Sequence, residues 1–576
     1  MKTKTYDVII VGSGVAGALC AWKLAQAKKG LSILILEAGA NDLDDRQRAA
    51  FHRVNTVQGP GWKSPYARMT SRPFAPFPEA PDDPKKERYY DHGAETDVSK
   101  IYKATYLRMT GGATWGWRGN TPRFLPNDFK LNDVYEELAA HNLNWPLTYE
   151  QVRADFDEAE RELGVAGDAE AWGKVLGHKM KFPMPPIPLS YGDQLMQKAI
   201  NGLGIVAGRA VRVISTPQAR NSQPYDNGGQ QARRPACEGN SNCIPLCPIQ
   251  AKYDATVHLK LALFAGVELR NGCVVTKLTA AASEKVATVR YKSWLSSKPG
   301  EEQEVKGRVF ILAANAVETP KILLLSRTAS AFANPNIGRY LMDHVQEEVV
   351  GIYKEPLFPF RGPQSTCGIE SFRDGKFRGT HAGFRMTVGN DGWGRKETVG
   401  TTLDNMLRTP GTGGGFLFGK ALRQAVADRI TRMVRVSFSV EVLPHEANAV
   451  TLSDKTDDFG ILRPKLKFTL TDYEWKGLEE GHKVATEILK GVGCEVHDEP
   501  APKNFNTAAH PMGTCRMGAD KATSVVDADG RSHEHANLFM AGGSVFTTGS
   551  AANPTLMLAA LTLRTARAVL KQLSEP

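Results

Sequence analysis

The chain has 576 residues, 41% hydrophobic and 23% charged, a composition for more than one packed unit and unlike that of a disordered or fibrous polymer. Its formal net charge of +10 is a modest excess on this length, with no dense basic run carrying interleaved aromatics, so nucleic acid is excluded as a partner; a basic face toward an acidic protein or an anionic surface stays open. No apolar run reaches bilayer length, and the N-terminus enters a strand pattern with no signal region, so the chain is expected either to stay in the cytoplasm or to be exported with a partner that carries the signal.

Residues 6–11, "YDVIIV", form a continuous apolar run of the kind a buried parallel strand shows. "GSGVAG" follows, with Gly12, Gly14 and Gly17, then a helical pattern closed by Gly30 and a second buried strand ending in Glu37. This is the strand–turn–helix–strand–acid unit of a Rossmann half, so an α/β fold is expected. Gly12 permits the tight turn, Gly14 lets a pyrophosphate approach the backbone, and Gly17 lets helix and strand pack. The helix N-terminus faces the phosphates, and Glu37 is placed to accept ribose hydroxyls. Nicotinamide and flavin dinucleotides both fit the unit.

Further along, residues 61–90 and 408–419 lack periodicity and read as loops, lids or subunit contacts. Residues 237–248, "CEGNSNCIPLCP", hold three of the eight cysteines, spaced C-x5-C-x3-C. A disulfide would leave one thiol over, and zinc would need a fourth ligand such as His258. Three thiolates on a glycine- and proline-interrupted loop suit an iron–sulfur cluster with three irons. Cys20, Cys273, Cys367, Cys494 and Cys515 read as inert. Residues 431–444 alternate apolar and polar as a half-buried antiparallel strand does, and 448–470 read as strand, turn and strand. Near the C-terminus, His510 opens "HPMGTCRMG", and Asn553 precedes Pro554 and Thr555 at the start of a helical pattern, where it would cap the helix. His533 and His535 lie in a polar loop and read as structural.

The blocks "GSGVAG", "GGATWGW" (111–117), "VFILAANAVETPKILLLS" (309–326), "HPMGT" and "NPT" occur in the order of the glucose–methanol–choline (GMC) oxidoreductase family, which the chain resembles over most of its length. The resemblance implies a Rossmann-type FAD-binding domain (1–130, 230–345 and 505–576) and an antiparallel-sheet, α+β substrate domain with lid segments (131–229 and 346–504). It assigns FAD contacts to Gly12, Gly14, Gly17, Glu37, Gly111, Gly112, Thr114, Trp115, Val275, Ala314, Gly543, Pro554 and Thr555. Gly116 stands in a block where some members carry a flavin-linking histidine, so the FAD is expected to be non-covalent. Asn315 replaces a glycine of the family pattern. His510 would take the hydroxyl proton of an alcohol while hydride passes to flavin N5, and Asn553 would hold the same oxygen.

The cysteine loop and residues 126–167 resemble a subset of the family, the catalytic subunits of bacterial membrane-associated dehydrogenases for glucose, gluconate, fructose or sorbitol. That implies a 3Fe–4S cluster on Cys237, Cys243 and Cys247, a sugar or polyol substrate, and electron delivery to a cytochrome c or quinone. It also implies a small chaperone-like subunit with an export signal, a cytochrome c subunit, and a place at the periplasmic face of the inner membrane; without such a partner the chain would be cytoplasmic. The alternatives within the resemblance are a glycoside 3-dehydrogenase, an oxygen-using alcohol or pyranose oxidase, and a redox-silent hydroxynitrile lyase.

Overall fold

A computed structural model describes residues 4–39, 89–91, 93, 101–102, 104, 106–138, 142–228, 232–239, 243–244, 246–281, 285–295, 300–390, 403, 406–407, 415–457, 459–496 and 505–574. The segment at 61–90 lies outside them except for its last two residues, as does the first part of the loop at 408–419.

The first apolar run forms β1 (Thr5–Val11), the glycine turn leads into α1 (Val15–Ala27), and the second run forms β2 (Ile33–Leu36). All of β2 and the last four residues of β1 are buried; strands covered on both faces have no reason to alternate. The later strands are β3 (Val213–Ser215), β4 (Glu268–Arg270), β5 (Cys273–Ala280), β6 (Val286–Ser293), β7 (Glu302–Leu312), β8 (Val345–Ile352) and β9 (Cys367–Ile369). They continue with β10 (Phe384–Val388), β11 (Met433–Val440), β12 (Ala449–Thr456), β13 (Leu462–Lys467), β14 (Glu495–Val496), β15 (Asn506–Thr507) and β16 (Leu538–Met540). The helices that matter below are α2 (Tyr149–Leu163), α3 (Thr256–Phe264), α4 (Asn315–Ser326), α5 (Asp472–Gly491) and α6 (Thr555–Ser574).

Two seven-stranded sheets organise the molecule. The first runs β4–β2–β1–β7–β6–β5, with β16 also paired to β7. β4, β2, β1, β7 and β16 are parallel, and β5 and β6 join antiparallel. α1, α3 and α6 cluster against it. This is the expected Rossmann-type arrangement, and the glycine turn opens at the carboxyl ends of its strands, where such sheets bind ligands.

The second sheet, β14–β8–β11–β10–β9–β3 with β15 beside β8, is antiparallel throughout. Its register sets Gln346 and Arg385 opposite Ser439, and Thr387 opposite Ser437, on one face. The other face carries Phe384, Met386, Val436, Phe438 and Val440, which share a core with Leu478, Val484 and Ile488 of α5. The strand read at 431–444 is β11. The strands read at 448–470 are real, but β12 and β13 pair with each other as a separate hairpin rather than joining this sheet. Among the described residues no helix is long and apolar enough to cross a membrane.

Candidate active site

Gly12 holds φ at +96°, and a Cβ there would lie 2.7 Å from the Ala313 carbonyl oxygen; one on Gly17 would lie 1.9 Å from the Gly12 carbonyl oxygen. Both positions therefore exclude any side chain. A Cβ on Gly14 would meet nothing within 4 Å, because Gly14 faces a cavity of about 530 Å³. That volume is in the range of small-molecule sites.

Glu37 is buried at the rim of the turn. One of its carboxylate oxygens accepts the Ser13 N–H (2.8 Å) and hydroxyl (2.6 Å), and the other accepts the Gly39 N–H (2.7 Å). Burial raises its pKa above the ordinary carboxylate value, and these donors oppose the rise. Its oxygens keep further lone pairs toward the cavity it lines. The block at 111–117 is tied to the same turn: the Gly111 N–H donates to Ser13 Oγ (3.0 Å), and Thr114 Oγ accepts the Ala255 N–H (2.9 Å). Trp115 Nε1 donates to the Thr110 carbonyl (2.9 Å).

Gly12, Gly14, Glu37, Gly112, Thr114, Val275, Ala314, Gly543, Pro554 and Thr555 line this one cavity together with His510 and Asn553. Gly17, Gly111 and Trp115 stand behind the lining. Asn315 is in the left-handed region, at φ +62°, which explains how asparagine can replace a glycine there. Its Oδ1 also accepts the Val317 and Glu318 N–H groups (2.7 and 3.1 Å), capping α4.

α6 starts at Thr555, and the Pro554 carbonyl accepts the Leu558 N–H (2.9 Å), so Pro554 holds the capping position. Asn553 therefore stands one residue outside the helix instead of capping it. Its side chain makes no hydrogen bond among the described residues and lines the cavity. The backbone N–H of His510 donates to Asp343 Oδ1 (2.8 Å), and the ring Nδ1 of His510 lies 2.9 Å from Nδ1 of His344. Ala509 and Ser550, on either side of this pair, hold positive φ at 59° and 53°, a strained conformation for residues with a side chain.

Several lining residues carried no motif. Arg385, Thr387, Gln346, Ser437 and Ser439 enter from the polar face of the second sheet, and Asn120 and Gln364 from loops. The alternation of "VRVSFSV" was the available signal, but alternation alone does not distinguish a face toward water from a face toward a ligand. His344 lies at the end of "LMDH", just before β8, with nothing local to mark it.

The cysteine loop abuts the same cavity: Ile244 lines it, and the Cys243 N–H donates to Oε1 of Gln364 (3.2 Å). Cys243 and Cys247 are buried and Cys237 is half-buried. Burial raises the pKa of the Cys237 thiol, Arg220 lowers it, and Cys243 and Cys247 both act on it. Buried Arg220 leaves Nε and Nη1 without a hydrogen-bond partner among the described residues. Three thiols beside an unsatisfied guanidinium fit a thiolate-held group of negative charge. They do not fit zinc with His258, whose ring is engaged by Tyr253 (2.7 Å) and Glu162 (3.0 Å). Among the described residues no three His, Cys, Asp or Glu side chains converge on a single-ion position. Cys20 and Cys494 are buried, with their thiol pKa values raised to about 12.

His533 bonds to Ser524 Oγ (2.9 Å), and Nε2 of His535 accepts the Phe332 N–H (3.4 Å); neither lines the cavity.

Comparison with known proteins bears on the whole chain. Residues 216–346 and 444–562 match the family described as GMC oxidoreductase, and residues 10–41 match an NAD(P)-binding Rossmann-like domain. The fructose dehydrogenase large subunit of Gluconobacter japonicus is 31% identical, over 100% of this chain and 99% of its own length. The C-glycoside 3-oxidase of Microbacterium trichothecenolyticum is 25% identical, covering 100% and 99%. Pyridoxine 4-oxidase from Mesorbium loti shares the fold with a TM-score of 0.59 at 18% identity, covering 98% of this chain and 99% of that one.

Proposed function

This chain belongs to the GMC oxidoreductase family, and we propose that it is the flavin-bearing subunit of a dehydrogenase for a sugar or sugar-derived alcohol. One observation carries the reading: His510 and Asn553 share a cavity with the glycine turn, beneath a sheet face that presents hydroxyl, amide and guanidinium groups.

FAD, bound non-covalently along Gly12, Gly14, Glu37, Val275 and Ala314, supplies the hydride acceptor. His510 takes the substrate hydroxyl proton, and the Asn553 amide holds the oxygen without competing for that proton, each from about 2.6–3.2 Å. The N-terminus of α6, whose Pro554 and Thr555 line the cavity, adds the positive end of a 20-residue helix where negative charge would accumulate. Thr387, Ser437, Ser439 and Gln346 would meet the remaining hydroxyls of a polyol. A polar roof of that kind suits a substrate with several hydroxyls better than a simple alcohol.

Cys237, Cys243 and Cys247 would hold a 3Fe–4S cluster, with Arg220 offsetting its charge. The loop's position beside the cavity suits electron exit to a cytochrome c or quinone. The fructose dehydrogenase relative is named a large subunit, which supports further subunits here; our reading takes these as a small chaperone-like subunit and a cytochrome c, working at the periplasmic face of the membrane. The FAD-binding part is taken as 1–130, 230–345 and 505–576, and the remainder as the substrate part. Oxidation of a ring hydroxyl in a glycoside is the second reading, favoured by the C-glycoside 3-oxidase relative.

The test is anaerobic mixing of the flavin-loaded protein with fructose, glucose, gluconate, sorbitol and a glycoside. Bleaching of the flavin by at least one is expected, and its absence with all of them removes the dehydrogenase reading. His510→Ala should lower turnover by about 10²–10⁴-fold.

A further inference from the structure

We infer that His344 is a positioning residue that sets the tautomer of His510, so that Nε2 of His510 is the nitrogen free of a proton. The inference rests on the reading of His510 as the base. His344 is not part of the His510–Asn553 pair and comes from a separate segment, at the end of the loop that precedes β8.

The argument is a count of protons. His344 Nε2 lies 2.8 Å from the Ser550 carbonyl oxygen and 3.2 Å from that of Gly549. Carbonyl oxygens only accept, so His344 Nε2 carries a hydrogen. A neutral imidazole has one N–H, which leaves Nδ1 of His344 with a lone pair. That lone pair faces Nδ1 of His510 at 2.9 Å, so the hydrogen between the two rings belongs to His510. His510 then carries its hydrogen on Nδ1 and its lone pair on Nε2.

The condition is a neutral His344. It is buried, and burial lowers its pKa below the usual histidine value against the pull of the Ser550 and Gly549 carbonyls. The charged groups acting on it are Glu441, which favours the cation, and Arg373, which opposes it. A protonated His344 would present N–H at both positions and reverse the assignment.

The surroundings hold both residues in place. Asp343 accepts the backbone N–H of His510 on one oxygen (2.8 Å) and the Tyr102 hydroxyl on the other (2.9 Å). Ser550, whose carbonyl orients His344, is held by its own hydroxyl on Asp128 Oδ2 (2.6 Å). When His510 Nε2 takes the substrate hydroxyl proton, the carbon's hydride pair goes to the bound flavin. His510 then carries N–H on both nitrogens, and His344 Nδ1 is still the right acceptor. Neither ring has to turn during the step.

Three variants test this, because an asparagine oxygen reaches about as far as Nδ1 and a glutamine amide about as far as Nε2. His344→Asn can keep the acceptor toward His510 and should retain turnover within about tenfold. His344→Gln and His344→Ala lose it and should drop kcat by about 10²-fold or more, with KM and flavin content little changed. Turnover of the glutamine variant equal to or above that of the asparagine variant, or an unaffected alanine variant, would overturn the inference. A measurement on the unmutated holoenzyme stands apart from activity and from variant folding. Nitrogen NMR of 15N-histidine-labelled protein, with His510 assigned by its loss in His510→Ala, should show Nδ1 protonated and Nε2 bare. The reverse pattern refutes the tautomer. If His510→Ala instead keeps full turnover, the base reading falls, while the NMR result still decides the tautomer.

Discussion

Asp128 shows how much of this site depends on residues that never meet a substrate. It is buried, accepts the Ser550 hydroxyl (2.6 Å) and the Leu125 N–H (2.7 Å), and pairs with Arg378 at 2.7 Å. Arg378 in turn pairs with Glu441. Asp128→Ala would leave a buried guanidinium short of one counter-charge and release Ser550 from a strained backbone. The expected loss is about 3–5 kcal/mol, seen as a lower midpoint in denaturant unfolding followed by fluorescence. His344 gives a pH signature at the same scale. Burial lowers its pKa, so from about pH 6.5 downward the unfolded chain takes up a proton that the folded chain does not. Unfolding free energy should therefore fall as pH drops below about 6.5, and His344→Asn should flatten that part of the curve. An unchanged slope in the variant would place the effect elsewhere.

At the scale of elements, the second sheet divides its work by face. β10 and β11 turn Phe384, Met386, Val436 and Phe438 to a core and Arg385, Thr387, Ser437 and Ser439 to the cavity. Ser437→Ala and Ser439→Ala leave the strand's backbone and Cβ in place but remove a hydroxyl. Each should raise KM for the best substrate several-fold, with flavin content and thermal midpoint nearly unchanged; a fall in kcat alone would argue against a binding role. The β1–turn–α1–β2 unit was legible in the sequence because its signals are local: a buried run, three glycines at fixed spacing, and an acid at the next strand end. The roof was not, because period-2 alternation marks a half-buried strand without saying what lies over its polar side. The β12–β13 hairpin was readable as two strands, but their separation from the roof depends on partners far away in the chain. Asn553 failed as a cap for a similar reason: Asn before Pro is a good start signal, and the helix begins only one residue later.

At the scale of the molecule, the motif order pointed to the family, and the fold brings motifs more than 500 residues apart to one cavity, Gly12 from one end and Asn553 from the other. His344 was invisible because its meaning depends on three carbonyl and ring partners from distant segments. The cysteine loop belongs to this scale too, since it sits against the cavity through Ile244 and Gln364. Cys243→Ser should yield protein with a full flavin complement but without the roughly three irons per chain expected of the parent purified without oxygen. Sugar should still bleach its flavin, while transfer to cytochrome c falls. Iron-free parent protein with full flavin would remove the cluster from the scheme.

The pairing of β1 with β7 has a consequence for how the protein is made. Gly12 packs on Ala313, about 300 residues later, so at roughly 5–20 residues per second a ribosome needs on the order of 15–60 s to deliver that neighbour. For that interval β1 and β2, apolar on both faces, stand at the exit tunnel with an open edge, and the last wall of the pocket arrives only with the final helix. The flavin site is therefore complete only after α6 has been made, and until then β1 and β2 present the kind of apolar strand edge that chaperones shield.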